Sequence, residues 1–216
     1  MENKEKFVSP TIYKVARPFL KALFYFLFQP RIKGKENIPN EGGAVIAGNH
    51  VFVFDPALIG SCTKRCVHFL AKAEIYNTKF ISYLMTKAGM IPVHRQRKDH
   101  AALEAAENYL KEGALIALFP EATIIKPEGV RILPFKMGAI KMAYDTKVPI
   151  VPVSINGKYI PIFGRLQIVV HKPYYIESDD LEAEREKLVQ IICGGLNPPL
   201  KEGERIVVYD KDDTKK

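Results

Sequence analysis

His50 and Asp55 suggest one kind of chemistry. A carboxylate on Nδ1–H fixes the tautomer of an imidazole and supports the imidazolium that forms, leaving Nε2 to take a proton from an alcohol. In the run His50-Val51-Phe52-Val53-Phe54-Asp55 the histidine ends an apolar stretch and the aspartate precedes Pro56. A tight turn from strand end to helix start would let the two side chains meet. No serine or cysteine nucleophile is needed if the alcohol belongs to the substrate. Taken alone the spacing is a weak signal, because a core histidine followed by an aspartate that only caps a helix satisfies it equally.

The surrounding pattern places more chemistry beside this pair. From Gly43 onward short apolar runs alternate with helical segments. Strands are expected at 44–47, 67–70, 90–93, 114–119, 150–155 and 166–170. Helices are expected at 56–64, 80–87, 101–112, 137–146 and 181–192. Asp55 and Asp99 are placed to cap two of them, and Asp179 with Glu182 has the spacing of a capping box for the last. Pro92 assigns its strand to an edge or a strand end. Such alternation implies an α/β fold with a mixed, largely parallel sheet flanked by helices. Ligands in these folds collect beyond the strand C-termini. Asn49-His50, Lys72, His94-Arg95 and Pro120-Glu121 each follow an expected strand and therefore gather in one zone.

Composition narrows the class. The 216 residues suit one domain, and 47% hydrophobic content is ample for a core. Of the net charge of +8, +6 falls between Met1 and Lys35. Nucleic acid and anionic lipid both attract a basic arm. Phe19-Leu20-Lys21-Ala22-Leu23-Phe24-Tyr25-Phe26-Leu27-Phe28 is too apolar for phosphate contacts, so no nucleic-acid partner is expected. The run falls short of the roughly 20 residues that span a bilayer and is followed by Gln29-Pro30-Arg31, not by a signal-peptidase site. Lys14, Arg17 and Lys21 share one helical face, and bulky apolar residues populate the rest. The expectation is an amphipathic helical segment over residues 1–30 in peripheral or monotopic contact with the cytoplasmic face of a membrane; the alternative is a helix packed on its own domain. The catalytic domain is expected over 31–210 and a flexible tail over 211–216. Cys62, Cys66 and Cys193 form no disulfide framework, and Cys62, Cys66 and His68 fit no zinc pattern, so neither metal nor cofactor is expected.

The run Gly48-Asn49-His50 through Asp55-Pro56 resembles the first motif of the glycerolipid acyltransferase family. Gly89-Met90-Ile91-Pro92-Val93-His94-Arg95, Phe119-Pro120-Glu121-Ala122-Thr123 and Val148-Pro149-Ile150-Val151-Pro152-Val153 are similar to its further motifs, in the same order. The resemblance implies the glycerol-3-phosphate acyltransferase-like fold. It also implies acyl transfer from acyl-CoA or acyl-carrier protein to a lysophospholipid, with 1-acylglycerol-3-phosphate the leading acceptor. On that reading His50 is the general base and Asp55 its orienting partner. Arg95 grips the acceptor phosphate as a bidentate fork, with Lys72 nearby. Glu121 and Thr123 belong to the third motif, where Glu121 either touches substrate or orders its loop. Pro152 and Val153 pack as core or beside an acyl chain. The third motif usually reads F-P-E-G-T-R, and this chain departs twice. Ile124 replaces the arginine, for which Arg131 is a substitute. Ala122 replaces the glycine, which excludes a backbone at positive φ unless strain is tolerated. Glycerol 3-phosphate, another lysophospholipid or a non-phosphate alcohol remain alternative acceptors, and a non-catalytic membrane-binding protein is the alternative of another class.

Overall fold

The computed structural model describes residues 11–87, 89–93, 100–162 and 164–205. Arg95, the Asp99 cap, residues 1–10 of the N-terminal segment and the 211–216 tail lie outside the described residues. In chain order the elements are α1 (Thr11–Phe28), β1 (Arg31–Lys33), β2 (Ala44–Gly48), α2 (Asp55–Ser61), β3 (Val67–Lys72), α3 (Lys79–Lys87) and β4 (Ile91–Val93). They continue with α4 (His100–Lys111), β5 (Leu115–Leu118), α5 (Gly138–Thr146), β6 (Ile150–Asn156), β7 (Gln167–Val170) and α6 (Leu181–Gly194).

One seven-stranded sheet runs in the order β1-β7-β6-β2-β5-β3-β4. Only β6 against β7 is antiparallel; the other neighbours are parallel. The mixed, largely parallel sheet is thus the one the alternation implies, with the Pro92 strand at its edge. β1 was not legible in the sequence, since Arg31-Ile32-Lys33 is short and flanks its single apolar residue with charges. It forms because β7 offers an edge, and Ile32 pairs with Ile168.

β2 shows why both sheet faces need cover. Successive strand residues point to opposite faces, and all five residues of β2 are buried. Val45 and Ala47 join Ala106, Leu110, Ile140, Met142 and Leu188 from α4, α5 and α6. Ala44 and Ile46 join Phe24, Phe28, Leu58 and Ile59 from α1 and α2. α1 therefore closes one side of the domain. It buries Phe24 and Phe28, one turn apart, yet Phe19 and Phe26 point outward at 81% and 77% exposure. Among the described residues no helix is long and apolar enough to cross a membrane.

Two helix starts differ from the sequence reading. Asp180, not Asp179, caps α6, accepting a hydrogen bond from Ala183 N at 3.0 Å. The Asp179 carboxylate instead takes the Tyr144 hydroxyl at 2.5 Å, a tertiary partner that sequence spacing cannot reveal. Asp55 is the first residue of α2 and caps nothing in it; its carboxylate turns back toward the preceding loop, for reasons given below.

The loop ahead of β3 is fastened by Arg65, whose guanidinium donates to the carbonyls of Pro39 (2.7 Å), Gly42 (2.7 Å) and Gly113. Burial lowers the affinity of this guanidinium for its proton, the nearby Glu41 charge opposing the shift. Arg65→Met keeps much of the aliphatic stem and strips these donors. It should cost about 2–3 kcal/mol, from the worth of charge-assisted bonds and of carbonyls left unpaired. Urea unfolding followed by circular dichroism measures it, and an unchanged midpoint would refute the role.

Candidate active site

β2, β5 and β6 lie side by side and parallel, so their C-terminal ends open on one edge of the sheet. Asn49 follows β2 and is 2% exposed. Its side chain reaches across to β6, where Oδ1 accepts from Ile155 N at 2.7 Å and Nδ2 donates to Ile155 O at 3.0 Å. This clamp fixes the exit direction of the chain and delivers His50 to the sheet edge. The His50 amide then donates to Glu121 Oε1 at 2.8 Å, and the ring stacks on Phe119 at 3.9 Å and 10°.

His50 Nδ1 stands 2.7 Å from Asp55 Oδ2. The same oxygen accepts the amides of Val51 at 2.7 Å and Phe52 at 2.9 Å. Here the cap expectation fails for a physical reason. The fully buried Asp55 carboxylate finds donors in the turn before the helix, so it organises that turn. Its other oxygen, Oδ1, accepts the Tyr159 hydroxyl at 2.6 Å. Burial, and then the adjacent Asp55 charge, push the Tyr159 phenol far above its ordinary value, so it remains a donor. A carboxylate so supplied is placed to accept from Nδ1–H, the tautomer in which Nε2 carries the lone pair.

Glu121 is 1% exposed and holds the loop after β5. Beyond the His50 amide, its Oε2 accepts from Leu133 N at 2.7 Å and pairs with Lys126 Nζ at 2.7 Å. Lys126 Nζ also donates to Arg131 O at 2.6 Å. Glu121 thus orders its loop, anchoring both ends of it to the histidine. Lys126 was missed in the sequence. The available signal was that a buried carboxylate needs a cation, and Lys126 is the first basic residue after Glu121. Ala122 sits at φ 60° despite its side chain, closing a turn through Ala122 N to Phe119 O at 2.9 Å. Strain is thus tolerated at this position, the condition under which alanine keeps a positive φ. The bonds of Glu121 hold the loop in a shape that costs an alanine on the order of 1–2 kcal/mol.

A cleft of about 330 Å³ opens here, lined among others by His50, Ile124, Lys126, Arg131, Asn156 and Gly157. The Nη1 of Arg131 is engaged with the Pro198 carbonyl at 2.8 Å and with Glu204 Oε2 at 3.4 Å, so that nitrogen already has partners in the 198–204 segment. Ile124, in place of the motif arginine, is 42% exposed. Thr123 Oγ1 accepts from Ile125 N at 3.0 Å within its own loop. Lys72 closes β3 by its backbone, its side chain lying outside what the structure describes. Pro152 and Val153 are buried in β6, Val153 within the core beneath α1 and α2. Burial pushes the Cys62 and Cys66 thiols up to about 12, so neither supplies a thiolate.

Comparison with known proteins finds related chains. The acyltransferase family model matches residues 29–156. A 1-acyl-sn-glycerol-3-phosphate acyltransferase of Bacillus subtilis is 26% identical over 88% of this chain and 96% of its own length. Its counterpart from Borreliella burgdorferi is 34% identical over 74% of this chain and 67% of its own. The crystal structure of the 1-acyl-sn-glycerophosphate (LPA) acyltransferase PlsC from Thermotoga maritima superposes with a TM-score of 0.67 at 27% identity, covering 84% of this chain and 76% of that one.

Tyr159 is a positioning residue by this geometry, since it touches Asp55 and not the cleft. Tyr159→Phe removes one donor to a buried carboxylate and keeps the ring. The expected result is a kcat about ten-fold lower with KM held within about two-fold, as for a group that acts through Asp55 and not on the substrate. A variant that loses KM alone, or nothing, would refute a positioning role for Tyr159.

Proposed function

The chain belongs to the acyltransferase family, and on that premise we propose that it esterifies the sn-2 hydroxyl of 1-acylglycerol-3-phosphate, giving phosphatidate. The acyl donor is a thioester, acyl-CoA or acyl-carrier protein, and no resident cofactor or metal takes part. The observation that carries the reading is the His50 Nδ1 to Asp55 contact of 2.7 Å at the wall of an open cleft.

In the proposed step Nε2 of His50 takes the proton of the acceptor hydroxyl as the oxygen attacks the thioester carbonyl. The tetrahedral intermediate collapses, the C–S bond breaks, and the imidazolium returns the proton to the leaving thiolate. Asp55 stabilises the imidazolium in between. Its four hydrogen-bond donors keep the carboxylate aimed without motion during the step. Arg95 and Lys72 would hold the acceptor phosphate, and Thr123 and Glu121 would shape the loop opposite. Arg131 would contribute charge at the far wall. The N-terminal helix would rest on the cytoplasmic face of a membrane, where both amphiphilic substrates reside.

A second acceptor class has one observation in its favour. Ile124 replaces a phosphate-binding arginine with an apolar side chain, and the cleft-lining Lys126 is already paired with Glu121 at 2.7 Å. An acceptor with less charge, or a different lysophospholipid, would suit such a wall.

His50→Ala should lower thiol release from the acyl donor by about 10³-fold or more, on the usual scale for a lost general base within a unit, with an unchanged circular dichroism spectrum. Retained turnover in a folded variant would eliminate the assignment. Arg95→Ala should raise the acceptor KM at least about ten-fold and leave the donor KM within about two-fold. An equal effect on both would argue against phosphate binding. A matrix of acceptors against donors on purified protein with lipid separates the two acceptor classes.

A further inference from the structure

α1 adjoins two other elements with exposed apolar residues. The turn after His50 presents Val53 and Phe54 at 61% and 46% exposure, and the connection between β6 and β7 presents Ile160 and Ile162 at 48% and 67%. The outward face of α1 adds Phe19, Leu23 and Phe26. These elements are contiguous. Ile162 N donates to Leu27 O at 2.9 Å, Phe28 and Phe54 rings lie 6.2 Å apart, and Phe52 stacks on Tyr159 at 5.0 Å. The connection leaves β6 through Asn156 and Gly157, which line the cleft with His50.

We propose that the β6–β7 connection, through Lys158, Ile160, Ile162 and Arg165, forms with the 52–54 turn a second lipid-contacting element that lies with α1 on an anionic bilayer surface. It rests on the reading above in one respect, that the substrates are amphiphiles drawn from a membrane.

Charge selects the occupant. Residues 11–35, 43–54 and 157–172 contain no aspartate or glutamate. Exposed Lys158 and Arg165 flank the two isoleucines, and Lys21 and Arg31 lie on or beside α1. Bulky apolar residues ringed by cations suit a headgroup layer, where apolar burial and attraction to anionic lipid add. A second copy of the chain docking by two-fold symmetry would face this cationic surface with itself. Monomeric proteins rarely leave a contiguous apolar patch of several elements in water. Ile162, moreover, is a β-branched residue at φ 68°, a conformation costing about 1–2 kcal/mol. The fold tolerates this while the side chain points outward.

The test uses the full chain with α1 intact. Ile160→Asp with Ile162→Asp, and separately Lys158→Glu with Arg165→Glu, are compared with wild type by flotation on vesicles of phosphatidylglycerol and phosphatidylcholine. Vesicle binding should fall about ten-fold or more in each. Thermal melts check folding, and Ile160→Ser with Ile162→Ser replaces the aspartate pair if that pair fails to fold. Wild-type binding by folded variants would overturn the proposal. So would a wild-type dimer that these substitutions split. Thiol release with a short-chain, water-soluble acceptor should stay at the wild-type rate in the variants, placing the defect at the lipid surface. A wild-type protein inactive on every acceptor would sink the proposed reaction and leave the flotation result to stand by itself.

Discussion

A carboxylate with no access to water governs the site. Asp55 is fully buried, and charge in that position is tolerable only because four donors converge on it. Two are amides of the turn that it organises, one is the imidazole, and one is a phenol from the β6–β7 connection. Each donor constrains a different stretch of the chain. The turn 50–55, the β6–β7 connection and the orientation of His50 are therefore solutions to one desolvation problem. A helix-capping aspartate would have left the imidazole unsupported.

Glu121, on the neighbouring strand's loop, has a parallel role. It spans the His50 amide, the Leu133 amide and Lys126, so the loop after β5 is built around a second buried anion. The two carboxylates act on opposite ends of the same histidine, Asp55 through its ring and Glu121 through its backbone. The strain accepted at Ala122 follows from that. Once Glu121 is fixed, the next residue has little freedom, and the left-handed backbone persists even where glycine is absent.

The strands and helices were legible because burial on both sheet faces makes strands read as unbroken apolar runs, as in Ala44–Gly48 and Leu115–Leu118. The gathering of Asn49, His50 and Glu121 beyond the strand ends followed from topology, and the meeting of His50 with Asp55 from the expectation that a turn could join them. What remained hidden depends on partners and burial that the local sequence does not reveal. Tyr159 reaches Asp55 across 104 positions, and nothing local distinguishes it from any other tyrosine in a loop. Lys126 looked like one lysine among many until Glu121 was seen to be buried. β1 exists only because β7 is there to receive it.

The double-faced α1 also bears on how its exposed apolar surface could be reduced. Phe24 and Phe28 belong to the same cluster as Leu58, Ile59 and Val153, and the Phe28 ring lies 5.5 Å from that of Tyr159. Trimming the helix away would uncover the floor of the domain and loosen the phenol that steadies the acid. Exposed apolar area is better reduced by recolouring the outer stripe, at Phe19, Leu23 and Phe26, with polar residues while its inner stripe is left untouched.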